Sequence, residues 1–394
     1  MGWRETCAVT ERRNFVLGVI RGERSIAEAC RVAGVSRKTG YKWLARYDEG
    51  GVAALQDRSR APHTHPNAIA LQTKVLLLAA RQLHPSWGAG KLISWLARYH
   101  PKHEFPAPST VSELLKRAGL VKPPRRSART APYMQPFMQA TEPNALWSAD
   151  FKGQFRTADQ RYCYPLTLCD GFSRYLLMCR GLLEPTTEAV WPWFERAFRE
   201  YGLPLAIRTD NGPPFASPRS LGGISKLSAW WVRLGIRPER IEPGCPEQNG
   251  RHERMHRTLK REATQPPRAS LRAQQGAFER FQAEYNTERP HEALRQSTPD
   301  QHYRPSPRHY PSKVPEIEYP GGFTVRRVRY AGTIKWKGGF VRVSNILSGE
   351  PVGLYQTGED AWAVYYGPIE LGRLDARCAR IEPKTYKSVT HVSG

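Results

Sequence analysis

Apolar and polar residues alternate at helical spacing through residues 1–48. Residues 25–32 read as one helix, Ala33-Gly34-Val35 as a turn, and Ser36 as the N-cap of a second helix over 37–47. Ala29, Val35, Tyr41 and Leu44 can then face one core, which turns Arg37, Lys38 and Lys42 outward. Gly40 is the flaw in that helix, costing roughly 1 kcal/mol against Ala. The spacing is that of a helix-turn-helix with a basic second helix suited to a major groove. An ordinary helical hairpin with a solvated basic face has the same pattern. Residues 68–83 read as a further helix, Trp87-Gly88-Ala89-Gly90-Lys91 opens another, and Pro108-Ser109-Thr110 caps a third over 111–118. A second DNA-binding unit and a purely structural three-helix unit both fit.

The pattern changes after Pro143. Strands are expected at 145–151, 162–170 and 174–180, a helix at 187–201, a strand at 205–209, a helix at 224–235, a short strand at 240–242 and a long helix at 248–260. A strand meander followed by alternating helices and strands is an α/β layer pattern. From 321 onward valines and aromatics alternate with Arg and Lys between glycine turns, which predicts a small β-barrel. Pro-rich, charged stretches separate these regions. The expected organisation is a multidomain chain. It runs as a helix-turn-helix at 1–48, a linker at 49–67, a second helical domain at 68–120 and a linker at 121–144. An α/β catalytic core follows at 145–300, then a linker at 301–320, the barrel at 321–376 and a tail at 377–394.

Charge gives the first functional clue. The chain carries 60 Lys and Arg against 36 Asp and Glu, a net +24. Such an excess favours a polyanionic partner, and nucleic acid is the commonest one. Residues 1–140 hold 23 Lys and Arg against 9 Asp and Glu, a net +14, so this third is the better candidate for gripping DNA. The seven cysteines are scattered and contain no Cys-x-x-Cys pair, which speaks against a disulfide framework or a structural zinc site. No apolar run approaches bilayer length, so no membrane role is expected.

Phosphodiester chemistry needs an activated attacking oxygen, a stabilised leaving oxygen and neutralised phosphate charge. Two metal ions roughly 3.5–4 Å apart meet all three needs. Mg²⁺ takes hard oxygen ligands, so a few carboxylates at strand ends or on a helix face suffice. Asp150 sits inside the apolar strand Trp147-Ser148-Ala149-Asp150-Phe151, and Asp210 ends a strand at Asp210-Asn211-Gly212. Glu253 shares a helix face with Asn249, His256 and Lys260 at spacings of i, i+4, i+7 and i+11. Taken singly, local sequence favours Asp150 as a surface residue of an edge strand and Asp210 as a turn residue, and Glu253 would be unremarkable on a solvated face.

Together these segments resemble the catalytic core of DDE insertion-sequence transposases related to retroviral integrases. The matches are Trp147-Ser148-Ala149-Asp150-Phe151, Arg208-Thr209-Asp210-Asn211-Gly212 and Gln248-Asn249-Gly250-Arg251-His252-Glu253-Arg254 leading to Thr258-Leu259-Lys260. Asp170 with Phe172-Ser173-Arg174, Tyr285-Asn286 and Arg289-Pro290-His291 match its shorter signatures. The resemblance extends outward through Asp57-Arg58-Ser59-Arg60, His84-Pro85-Ser86-Trp87-Gly88, Ser109-Thr110-Val111 and Lys335-Trp336-Lys337-Gly338. One departure is spacing: 42 residues separate Asp210 from Glu253, and Glu247, with 36 between, lies nearer the family pattern. Glu253 occupies the family's Asn-x-x-x-Glu position, and residues 218–223 read as the insertion that lengthens the interval.

The resemblance implies a ribonuclease-H-like core in which Asp150, Asp210 and Glu253 hold two Mg²⁺ ions, with Mn²⁺ as a substitute. It implies cleavage of element ends to free 3′-OH groups and joining of these to target DNA. Terminal inverted repeats and target DNA are the implied partners, with a homo-oligomer on DNA in a bacterial cytoplasm. The expected DNA contacts are Arg37, Lys38, Lys42, Arg58 and Arg60 in the N-terminal region and Lys335 and Lys337 in the barrel. From the core they are Asn211, Asn249, Arg251, His256, Lys260, Arg289 and His291. Two rival readings are a catalytically inactive DNA-binding regulator and a ribonuclease-H-like nuclease that never joins strands.

Overall fold

The computed structural model describes residues 7–58, 68–121, 139–217, 220–241, 250–375, 377 and 380–383. Arg60, Glu247 and Asn249 lie outside the described residues, as does most of the expected linker at 121–144. Two compact units are present, Met1–Ile69 and Ala70–Gly394.

The first unit contains α1 (Ala8–Ile20), α2 (Ile26–Val32) and α3 (Arg37–Gly50). Ser25 and Ser36 cap α2 and α3 by accepting from the backbone N–H of Glu28 and Thr39. The core differs from the expected one. Val16, Trp43 and Leu55 form it, and Tyr41 is 59% exposed. The inward stripe of α3 runs through Gly40, Trp43, Leu44 and Tyr47, which places Tyr41 on the flank. Gly40 is no flaw. A Cβ there would stand 2.5 Å from Cys30 Sγ and 3.0 Å from Phe15 Cζ, so α3 approaches its neighbours through a residue without a side chain. Arg12 reaches over the Trp43 ring at 4.0 Å and pairs with Asp57 at 2.8 Å.

The second unit begins with α4 (Leu71–Leu83), α5 (Ala89–Tyr99) and α6 (Pro108–Arg117), packed through Leu77, Trp87, Leu92, Leu96, Val111 and Leu115. A mixed sheet follows, made of β1 (Leu146–Phe151), β2 (Phe155–Arg156), β3 (Tyr162–Asp170), β4 (Leu176–Leu182), β5 (Ala206–Thr209) and β6 (Arg237–Arg240). β3 pairs antiparallel with β1, β2 and β4, and β1, β5 and β6 run parallel. α7 (Thr187–Tyr201) and α8 (Lys226–Arg233) cover one face, joined by Trp147, Ala149, Leu166 and Leu168 from the strands. α9 (Gly250–Leu259) and α10 (Leu271–Thr287) cover the other, with Cys163 and Cys169 from β3. Strand alternation therefore sends Ser148, Asp150 and Thr167 towards α9.

Two expected elements shift. The strand expected at 174–180 starts at Leu176, because Asp170 gathers the Ser173 N–H and hydroxyl into a tight turn. The strand expected at 240–242 is β6, in register with β5 from Ala206↔Arg237 to Thr209↔Arg240. α10 has no counterpart among the expected elements. Its Gln282 and Asn286 side chains bond the backbone of Leu176 and Leu177, satisfying polar groups of β4 that a further strand would otherwise meet.

The stretch at 301–320 has no regular strand or long helix, yet it is no free spacer. Tyr303 is buried in the main core and bonds Asn144, and Arg308 bonds the carbonyls of Pro204 and Leu234. Beyond it β7 (Phe323–Arg327), β10 (Pro351–Gln356), β11 (Ala361–Tyr366), β12 (Ile369–Asp375) and β13 (Arg380–Pro383) form an antiparallel sheet ordered β13-β12-β11-β10-β7. β8 (Thr333–Trp336) and β9 (Gly339–Arg342) form a separate ribbon. The expected barrel is thus an open sheet plus a ribbon among the described residues, because the edge strands β7 and β13 do not pair. Its core takes in Ile224 just before α8 and Ala229 and Val232 from α8. No described helix is long and apolar enough to cross a membrane.

Candidate active site

The parallel pairing of β1 and β5 sets the site. Its last matched pair is Ser148↔Arg208; two residues further along the chain stand Asp150, still within β1, and Asp210, just past the end of β5. Residues matched across a parallel pair face the same side of the sheet. Asp210 follows the end of β5, and its carboxylate accepts from the Gly212 N–H at 3.2 Å, so the Asp-Asn-Gly turn and the acid are one feature. Asn211 is used locally, its amide donating to the Ile241 carbonyl at 2.6 Å.

Burial raises the Asp150 carboxyl most, the charge of Asp210 raises it next and that of Glu253 adds less, bringing it to about 7. A backbone hydrogen bond and Lys152 oppose the rise. Burial likewise raises Asp210. These are the signs of like charges crowded into a site partly cut off from water. Glu253 is exposed on α9.

The inward stripe of α9 is His252, Met255, His256 and Leu259, spaced i, i+3, i+4 and i+7. His256, expected on the DNA-facing side with Glu253, is instead only 5% exposed. Its Nδ1 lies 3.6 Å from Asp150 Oδ2 and its Nε2 lies 2.7 Å from Thr167 Oγ1. His252 is a site residue that the sequence reading misses. Its Nδ1 meets Ser148 Oγ at 2.8 Å and its Nε2 meets Thr167 Oγ1 at 2.7 Å. The i, i+4 pairing of the two histidines is the signal that could have found it. Burial pushes His252 down to about 3 and His256 to about 2, which keeps both rings neutral. Asp150, His252 and His256 each offer a ligand atom within 4.8 Å of the others.

The remaining expected contacts divide by exposure. Arg37, Lys38, Lys42, Lys260 and Lys335 are exposed. Arg58 is exposed beside Glu49, and Lys337 beside Asp360 at 3.8 Å. Arg251 is exposed and donates to the Gly171 carbonyl. Arg289, expected to contact DNA, is only 6% exposed and pairs with Glu262 at 2.8 Å. His291 is half-buried against the Tyr285 ring at 4.7 Å. Asp170, one of the shorter signatures, is buried and accepts from Asn144 N–H and from Ser173, so it braces the turn beside β1.

Family models agree with this architecture. Two integrase core domain models match residues 140–246 and 234–299, a helix-turn-helix domain model matches 11–63 and a homeodomain-like model matches 39–115. An insertion element IS476 uncharacterized 39.2 kDa protein from Xanthomonas euvesicatoria is 28% identical over 69% of this chain and 70% of its own length. An insertion element IS407 uncharacterized 31.7 kDa protein from Burkholderia multivorans is 25% identical over 72% of this chain and 93% of its own length. Among solved structures, the HTLV-2 integrase catalytic core domain in complex with magnesium is 19% identical, covering 42% of this chain and 99% of that one, with a TM-score of 0.33. The chain thus matches a helix-turn-helix domain model in its N-terminal region and integrase core domain models after it, and it is similar to insertion-element proteins over about 70% of its length.

Proposed function

We propose that the chain is a DNA transposase. Its helix-turn-helix would bind the terminal inverted repeats of a mobile element. Its core would cut each end to free a 3′-OH and join that hydroxyl to target DNA. The observation that carries this reading is the Asp150 carboxyl, shielded from water and pressed by the charges of Asp210 and Glu253. Such a group is stable in its charged form only beside cations.

Oxygen donors of this kind suit Mg²⁺, with Mn²⁺ as a substitute. Two such ions, when bound, supply an activated attacking oxygen and a stabilised leaving oxygen. Asp150 and Asp210 would be the shared ligands and Glu253 would complete the second position. The exposed Lys260 and Arg251, with Asn249, would hold DNA backbone beside the acids. Arg37, Lys38 and Lys42 would enter the groove of the repeat, and Lys335 and Lys337 would meet backbone or a partner subunit. Two element ends must be handled at once, so a homo-oligomer belongs to the same proposal.

The test is incubation of the full chain with element-end duplex, target duplex and Mg²⁺. Transposition predicts metal-dependent nicks that free 3′-OH ends, followed by joined products. Nicks without joining would make the protein a nuclease. Specific binding with no nick under any divalent ion would make it a regulator.

A further inference from the structure

Thr167 holds more hydrogen-bond partners than one hydroxyl can serve in only one role. A threonine hydroxyl has one proton and two lone pairs. Thr167 donates its proton to the Asp150 carbonyl at 3.0 Å, a group that can only accept. The Nε2 atoms of His252 and His256, each 2.7 Å from the same oxygen, must then both be N–H donors. His252 Nδ1 is left as an acceptor, and the Ser148 hydroxyl donates to it at 2.8 Å. His256 Nδ1 is likewise left with a lone pair, and it faces Asp150 Oδ2 at 3.6 Å. Two electron-rich atoms set face to face repel unless something positive lies between them.

The ring is held in this pose. Thr167 fixes its far side, and His252 stands edge-on with ring centroids 4.6 Å apart. Two donors each about 2.1 Å from one ion can be up to about 4.2 Å apart. A spacing of 3.6 Å lies within that reach.

We propose that His256 Nδ1 is a metal ligand that shares one divalent cation with Asp150, and that this nitrogen makes the site favour Mn²⁺-like transition ions over Mg²⁺. The inference rests on the carboxylate metal site proposed above and adds a donor that the three acids do not supply. Imidazole raises affinity for first-row transition ions, whereas an all-oxygen set suits Mg²⁺. His252, with both nitrogens occupied, orients Thr167 and does not ligate.

Pulsed electron paramagnetic resonance of Mn²⁺ bound to the full chain tests this directly. The expected result is hyperfine coupling to one imidazole nitrogen. The coupling disappears in His256→Gln and persists in His252→Gln. His256→Gln also weakens Mn²⁺ binding by about tenfold and Mg²⁺ binding by less than about threefold. Absence of nitrogen coupling in the unsubstituted chain overturns the ligand even if a variant fails to fold. Bound Mn²⁺ without nitrogen coupling, released by Asp210→Asn, overturns the His256 ligand and leaves the carboxylate site standing. No Mn²⁺ binding at all overturns both.

Discussion

Ser148 Oγ lies 2.8 Å from His252 Nδ1, which ties β1 to α9 at the residue immediately before Glu253. The same imidazole is held on its other side by Thr167 of β3. Two strands therefore fix the helix that carries the third acid. Thr167→Val keeps the shape and removes the oxygen that both imidazoles use. Two buried N–H donors then lose their partner, at about 1–3 kcal/mol each. The expected outcome is a stability loss of about 2–6 kcal/mol by urea denaturation. A loss under about 0.5 kcal/mol would show that the histidines do not depend on this oxygen.

The acids are tested by charge removal at constant shape. Asp150→Asn, Asp210→Asn and Glu253→Gln each lower end cleavage by roughly a thousandfold or more, the scale of several kcal/mol of transition-state stabilisation. DNA binding in gel shift should stay within about threefold, since the proposal assigns it to the helix-turn-helix. Glu247→Gln keeps near-normal cleavage. An inactive Glu247→Gln beside an active Glu253→Gln would move the third ligand to residue 247.

The raised Asp150 carboxyl has a definite pH signature. Its folded value, about 7, stands above the ordinary 3.8. The folded state therefore binds this proton more tightly than the unfolded state. The stability it contributes is complete below about pH 4 and is lost as pH rises to about 7. Asp150→Asn has no such loss. The melting temperature of Asp150→Asn minus that of the unsubstituted chain, both metal-free, should climb between pH 4 and 7 and level off above. A difference that is flat across this window would mean that Asp150 is not held protonated. Adding Mn²⁺ at pH 8 should stabilise the unsubstituted chain and leave Asp150→Asn unmoved.

Much of this arrangement is legible in the chain, and the limits have physical causes. Apolar runs locate β1, β3 and β5, the last two buried almost continuously, and helix spacing locates α7 and α9, each of which buries one stripe. Asp150 and Asp210 are visible as acids interrupting or ending such strands. The role of His256 is not, because helix spacing alone leaves open where the buried stripe begins. Met255 and Leu259 fix it, and they bring His252 and His256 inward with them. α10 lacks the usual signal because its inner face is half polar: Gln282 and Asn286 serve strand backbone there, where an apolar stripe would normally run.

Gly40 offers a separate test in the N-terminal unit. Helix propensity alone says that Gly40→Ala should stabilise α3 by roughly 1 kcal/mol. The Cys30 sulfur and the Phe15 ring say the opposite, since they occupy the space the methyl group needs. The expected result is a loss of about 1–3 kcal/mol, the usual cost of overpacking. Cys30→Ala in the same chain should recover most of it, and thermal melting of the double variant reads this out. Stabilisation by Gly40→Ala alone would mean that α2 and α3 are not packed this closely.

Arg289 separates a structural role from a DNA contact. The resemblance implies a DNA contact for it, yet it lies buried with its guanidinium on Glu262 at 2.8 Å and 5.8 Å from the Trp87 ring. Ser86 also bonds Glu262, so Glu262, in the turn after α9, joins the segment before α5 to the one after α10. Removing one member of a buried pair leaves the other charge uncompensated, at about 3–5 kcal/mol when burial is complete. Glu262 keeps 20% side-chain exposure, which places the expected loss for Arg289→Ala nearer about 2–4 kcal/mol. A DNA contact predicts the reverse: unchanged stability, with weaker binding and a shallower salt dependence of affinity. Urea denaturation and a salt titration of DNA binding on the same variant therefore move in opposite senses for the two roles.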